Sequence, residues 1–177
     1  MTERRQLSAH LVVCAAPPVQ HVTELVTLLR ADGWAVQLTV TPTAATWIDT
    51  TMISQIVGGL VRVAQRSPDE PRDTRRADVV VVVPATFNTI NKWAAGINDN
   101  AALAVLQSAL GEATPILACP YAKKTLTSHP AYHANVQLLQ QCGVRFAELR
   151  QQAPASTPHL YNWADVAAAM TAAATRA

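Results

Sequence analysis

The chain has 177 residues, half of them hydrophobic and 15% charged, which suits one domain with a buried core. A formal charge of +2 is too small to point to nucleic acid. No apolar run approaches the roughly 20 residues that span a bilayer, and the first ten residues lack the hydrophobic core of a secretory signal. The three cysteines, Cys14, Cys119 and Cys142, lie in apolar surroundings without metal-ligand spacing. They read as reduced core thiols of a cytoplasmic protein, with no metal site.

Leu11–Ala16 is a short apolar run that predicts a first strand, ended by Pro17-Pro18. Val19–Ala31 carries apolar residues at Val22, Leu25, Val26, Leu28 and Leu29, a helical spacing, with Gly33 as its cap. Val36, Leu38 and Val40 alternate through a second strand, Ala35–Val40. A helical turn through Trp47, a helix over Met52–Val57 stopped by Gly58-Gly59, and a short strand in Leu60–Ala64 follow. Arg66–Arg76 mixes arginines with Asp69, Glu70 and Asp73 and reads as a solvated loop.

Val79–Val83 is an unbroken run of valine, the pattern of a strand buried on both faces. Helices are expected over Thr89–Ala95 and Asn100–Leu110, then a buried strand, Pro115–Cys119, and a polar loop, Pro120–Pro130. A helix over His133–Gln141 capped at Gly143, a last strand at Val144–Phe146, a linker through residues 151–163 and an alanine-rich helix from Ala164 complete the chain. This alternation predicts a single α/β domain, a three-layer doubly wound parallel sheet of the flavodoxin or Rossmann kind. Three strands end in loops suited to a ligand, Ala15–Pro18, Thr41–Thr43 and Pro84–Asn88, and open α/β sheets bind ligands at such ends.

There is no G-x-G-x-x-G, no P-loop and no H-E-x-x-H. His129 and His133 are four apart with Pro130 between them, which reads as a helix start rather than a ligand pair. The sets Thr41/Thr43 and Thr86/Asn88/Thr89 place short donors at strand-to-helix junctions. Such groups either hold an anion or cap the helix. Two sets at adjacent strand ends favour a ligand.

Pro84-Ala85-Thr86-Phe87-Asn88-Thr89-Ile90-Asn91-Lys92, followed by Ala95-Gly96-Ile97-Asn98-Asp99, resembles the P-A-S/T-A-N-T-I/L-x-K…G-x-x-D signature of the homo-oligomeric FMN-containing cysteine decarboxylases. The resemblance is strongest over Asp78–Asp99 and extends from the first strand to about Phe146. It implies FMN held between subunits of a trimer or a multiple of it. It also implies a flavin contacted by Thr86 and Asn88, a loop shaped by Pro84, Ala85 and Thr89, and phosphate donors at Thr41 and Thr43. Ala15–Pro18, with Pro17, takes the place of the family's first turn.

Two positions depart from that pattern. Glu70 stands where the decarboxylases carry a histidine, and Lys123 stands where P-x-M-N-x-x-M-W has its asparagine. A lysine can hold a carboxylate or phosphate as a point charge but cannot supply an amide's paired donor and acceptor. The resemblance therefore implies an FMN enzyme, decarboxylase-like, with altered chemistry on a small molecule or peptide bearing an anionic group. Lys123, Glu70 and His129 are its candidate catalytic residues. The alternatives are a non-catalytic flavin-binding or regulatory protein, a relative of the flavin prenyltransferases, and a cofactor-free scaffold.

Overall fold

The computed structural model describes residues 5–70, 76–147, 149, 151–152 and 160–175. Six strands form one parallel sheet: β1 (Ser8–Val13), β2 (Ala35–Val40), β3 (Val61–Arg62), β4 (Val79–Ala85), β5 (Ile116–Pro120) and β6 (Arg145–Phe146). Their order is β3-β2-β1-β4-β5-β6, that of a doubly wound sheet whose winding reverses between β1 and β4. The valine run explains the centre. All seven residues of β4 are buried, because the strand has β1 and β5 on its flanks and helices on both faces.

Strand alternation sorts the core into two halves. Leu11, Val13, Leu38, Val40, Val79, Val81 and Val83 face α1 (Val22–Ala31), α3 (Thr50–Val57) and α8 (Trp163–Ala174). Val12, Val80, Val82 and Ala118 face α4 (Phe87–Ala94), α5 (Ala101–Gly111) and α7 (Pro130–Gln141). Leu25 and Leu29 on one side and Leu103 and Leu106 on the other are essentially buried, each stabilising the fold by roughly 1.5–3 kcal/mol. Gly33 closes α1 at φ +82°. The Trp34 and Gly33 amides bond back to the Leu29 and Arg30 carbonyls, a turn that needs left-handed backbone.

Several expected bounds move, each for a local reason. β1 begins at Ser8 because Ser8 N–H donates to Asp78 Oδ2 at 2.8 Å, a polar tie that an apolar-run reading misses. Pro17 and Pro18 do not simply end a strand. They open a 3-10 turn, Pro17–His21, at positions where a missing N–H costs nothing. The polar loop after β5 contains α6 (Lys124–Thr127), and α7 starts at Pro130, ahead of His133. In the expected linker, β7 (Gln151–Gln152) and β8 (Leu160–Tyr161) pair antiparallel, and α8 begins at Trp163 behind an Asn162 cap. Cys14 and Cys119 are buried, but Cys142 is exposed at the end of α7, so it is not a core thiol. Residues 71–75 of the expected Arg66–Arg76 loop and 153–159 of the expected linker lie outside the described residues.

α8 docks on the body of the domain: Val166, Met170 and Ala173 are buried in the first core half. No helix among the described residues is long and apolar enough to cross a membrane.

Candidate functional site at the strand ends

The loops after β2, β1, β4 and β5 stand side by side along the carboxyl edge of the sheet. Neighbouring strands lie about 4.8 Å apart, so the four loops share one edge, with the winding reversal in the middle. None of Ala15–Pro18, Thr41–Thr43, Thr86–Asn88 or Tyr121–Lys124 contains a carboxylate, and the last contributes Lys123 and Lys124. This neutral-to-positive edge suits an anion.

The β4 end is built most firmly. Thr86 leaves the strand in extended backbone and caps α4, its Oγ1 accepting from the Thr89 N–H at 3.3 Å. An α-helix leaves its first-turn amides without intrahelical acceptors. Thr86 satisfies that of Thr89, which leaves those of Phe87 and Asn88 available to a ligand, where the helix dipole also favours negative charge. Asn88 is exposed, Thr86 is half-buried and Thr89 is buried. Pro84 and Ala85 are buried within β4 after a cis Val83–Pro84 bond. The Ala85 carbonyl accepts from the Tyr121 N–H at 2.9 Å, so these two residues shape the corner rather than present side chains.

At the β2 end, Thr41 caps α2 (Pro42–Ala45), accepting from the Ala44 N–H at 3.3 Å. Thr43 is exposed, and its carbonyl accepts from Thr46 Oγ1 at 2.8 Å. Pro17 is exposed at the head of the 3-10 turn, between the two threonine loops. Trp47 and Met52 beyond Thr43 are each 46% exposed, apolar surface beside the same edge.

The three candidate catalytic residues separate. His129 caps α7, its Nδ1 accepting from the Ala131 N–H at 3.1 Å. That bond requires an unprotonated Nδ1, so the neutral ring carries its proton on Nε2. The His129 ring meets Phe87 edge-on at 5.9 Å, which brings the head of α7 beside the head of α4. Lys123 and Lys124 are exposed at the start of α6, between β5 and that contact. Glu70 instead pairs with Arg62 at 3.0 Å, beyond the outer strand β3. β3 and β5 are four strand spacings apart, about 19 Å, so within one chain Glu70 and Lys123 do not converge.

Asp99 belongs to the scaffold. Lys92 and Asn100 both donate to it, and the Lys92 bond is the main cause holding its carboxyl below the usual range. Trp93 is core, with its indole N–H buried and unpaired among the described residues.

Residue reading missed two backing groups. Cys14 is fully buried at the end of β1, in the core half that holds Ala85 and Ile90, and burial pushes its thiol pKa up. Tyr161, from the stretch read as linker, donates its buried hydroxyl to the Cys119 carbonyl at 2.6 Å. Its ring packs edge-on against Tyr121 and Trp163, and burial drives its phenol pKa far up. The available signal was Tyr161-x-Trp163, two large aromatics after a polar stretch.

The donor set fits a flavin mononucleotide: open amides and a hydroxyl at the winding reversal, hydroxyls one loop away, and no competing carboxylate.

Known proteins carry the same frame. The solved structure of the FMN-dependent cysteine decarboxylase SpaF superposes with a TM-score of 0.80 at 23% identity, over 97% of both chains. That of TvaF, from thioviridamide biosynthesis, gives 0.79 at 22% identity, over 96% of this chain and 99% of the other. In sequence, the chain is 35% identical over 99 residues to a coenzyme A biosynthesis bifunctional protein CoaBC of Thermococcus kodakarensis, a match covering 56% of this chain but 23% of that relative. Thus the match spans under a quarter of that larger protein. A family model described as Flavoprotein matches residues 2–175, nearly the whole chain, and with the winding, the valine strand and the strand-end donors agreeing, the chain belongs to the Flavoprotein family.

Proposed function

We propose that this chain is an FMN-binding enzyme, decarboxylase-like, that acts in the cytoplasm on a small molecule or peptide with an anionic group. The observation that carries the reading is the β4 end: the Pro84–Asp99 signature stretch forms a capped helix whose open amides face the winding reversal. Thr86 and Asn88 hold the flavin, Pro17, Pro84, Ala85 and Thr89 shape its cradle, and Thr41 and Thr43 serve its phosphate. When bound, FMN supplies a two-electron acceptor. The exposed Trp47 and Met52 beside the edge support a homo-oligomer, a trimer or a multiple of it.

The chain's own groups define what is altered. Lys123 draws an anionic substrate group to the edge as a point charge. His129 offers a proton donor at Nε2, because Nδ1 is committed to the Ala131 amide. Glu70 is tied to Arg62 in its own chain, so it supplies no free base there. That pairing also favours a second reading, a flavin-binding protein without decarboxylase activity.

Absorbance of the purified chain with added FMN tests the cofactor. Anaerobic mixing of the loaded protein with a peptide ending in cysteine then separates the two readings. Flavin bleaching with release of carbon dioxide supports an enzyme that keeps the decarboxylase reaction. An unbleached flavin with this peptide, and with a panel of phosphorylated and carboxylated thiols, supports the non-catalytic reading.

A further inference from the structure

The turn that carries the two lysines cannot hold itself. α6 is four residues long and buries none of them, and helices that short are not stable alone. Lys123 stands at its cap position without a side-chain cap bond, and Lys124 follows in the first turn. Cations there oppose the helix dipole, so neither lysine is present for the sake of the turn. The place of α6 is set from its two ends.

Both ends are tied beside Thr86. At the start, the Tyr121 N–H donates to the Ala85 carbonyl at 2.9 Å. At the finish, the His129 ring meets the Phe87 ring edge-on, with centroids 5.9 Å apart. Phe87 also stacks on Tyr132, at 5.9 Å and 14°, and Tyr132 is only 8% exposed. From His129 the bonds run back to the lysine. Its N–H donates to the Leu126 carbonyl at 3.0 Å, and the Leu126 N–H donates to the Lys123 carbonyl at 2.9 Å. Residues 121–129 thus form a strap whose anchors, Ala85 and Phe87, flank Thr86. The first anchor is backbone, which any residue supplies. The second depends on a side chain. The signature that Pro84–Asp99 resembles has alanine at the place of Phe87, and a methyl group offers no ring to either partner.

We propose that Phe87 is a positioning residue: its ring pins the strap so that Lys123 stands beside the β4 corner, where it meets the carboxylate or phosphate of a substrate. The role of Lys123 rests on the anionic-substrate reading, whereas the pin rests on the ring contacts and the backbone bonds that lead from them.

The test uses the full chain as wild type, Phe87→Ala, Phe87→Tyr, Lys123→Gln and the double variant of Phe87→Ala with Lys123→Gln. Hydrogen exchange without ligand reads the amides of residues 126–129. Calorimetric titration of the FMN-loaded chain with inorganic phosphate, and separately with acetate, reads anion affinity. Two aromatic pairs together are worth about tenfold, so Phe87→Ala is expected to speed exchange at residues 126–129 about tenfold. Protection of α1 and α5 should stay, and Phe87→Tyr, which keeps the ring, should exchange as wild type does. Anion binding should weaken about tenfold in Lys123→Gln, the loss of one bond to a charged group, and by a similar factor in Phe87→Ala. Because Phe87 acts through the lysine, the double variant should bind no more weakly than Lys123→Gln alone. Exchange that stays unchanged in Phe87→Ala, or that rises equally in α1 and α5, overturns the pin. So does an anion affinity that falls additively in the double variant. A wild type that binds neither anion, or a Lys123→Gln variant that binds them as wild type does, overturns the anionic-substrate reading instead, and the exchange pattern still decides the pin. A chain that takes up no FMN removes the flavin alone, and the same titrations on the unloaded chain read the coupling between Phe87 and Lys123.

Discussion

The ends of β2 and β4 look alike in sequence and differ in build. Each sends a threonine from extended backbone into a helix and spends that hydroxyl on the cap, Thr41 on Ala44 and Thr86 on Thr89. Behind Thr86 stand Thr89, Cys14 and an eight-residue helix tied to α7 by Asn135 donating to Asn91 at 2.7 Å. Beyond Thr41 stand a four-residue turn and the exposed Thr43. A single turn sums few peptide dipoles. On the proposed reading, the β4 end offers a firmly held, oriented set of donors to an anion, while the β2 end offers hydroxyls that a ligand must organise. Similar residues at similar junctions acquire different roles from what is packed behind them.

The broadest way to break this contrast is alkaline titration, because the backing thiols lie on the β1, β4 and β5 side. Burial raises Cys119 from 9.0 to about 12 and raises Cys14 as well. The folded state keeps these protons after the unfolded chain has lost them. The Cys119 contribution is therefore complete below pH 9 and falls between 9 and about 12, by up to about 1.4 kcal/mol per pH unit, and that of Cys14 falls in the same direction. Chemical denaturation across that range should show the slope, and Cys119→Ala should flatten it. Thr41→Val should leave the slope as it is.

Tyr161→Phe removes the donor to the buried Cys119 carbonyl and should cost about 2 kcal/mol, a fall in Tm of about 4–8 °C for a chain of this size. Asn88→Asp places a carboxylate at the open amides of α4. FMN affinity, read by fluorescence quenching, should fall about tenfold or more, equivalent to about 1.4 kcal/mol. Thr86→Val removes a cap and should cost about 1 kcal/mol of stability together with FMN affinity. Thr43→Ala should change stability by less than about 0.5 kcal/mol, as exposed substitutions do, while weakening FMN through its phosphate. Equal stability losses in Thr86→Val and Thr43→Ala would remove the distinction between the two ends.

The frame was legible because its signals are local. The valine run of β4, the alternation of Ala35–Val40 and the glycine after α1 each report a nearest-neighbour preference, and their order fixes a doubly wound sheet. The threonine loops were legible for the same reason, since strand ends and caps are written in short patterns. What escaped depends on contacts far along the chain. Tyr161 meets Cys119 across 42 residues. Glu70 and Lys123 aligned as a catalytic pair only by motif position. Strand order, which no local pattern reports, puts the Arg62 partner of Glu70 on the outer strand β3 and Lys123 after β5, four strand spacings away.

Absorption spectroscopy of the full chain titrated with FMN tests the central claim most directly, with Asn88→Asp alongside. FMN bound at the β4 end predicts saturable uptake near one FMN per chain, a perturbed flavin band, and clearly weaker uptake in Asn88→Asp. A protein that stays colourless after FMN is added and desalted away, or one in which Asn88→Asp binds as tightly as wild type, contradicts it.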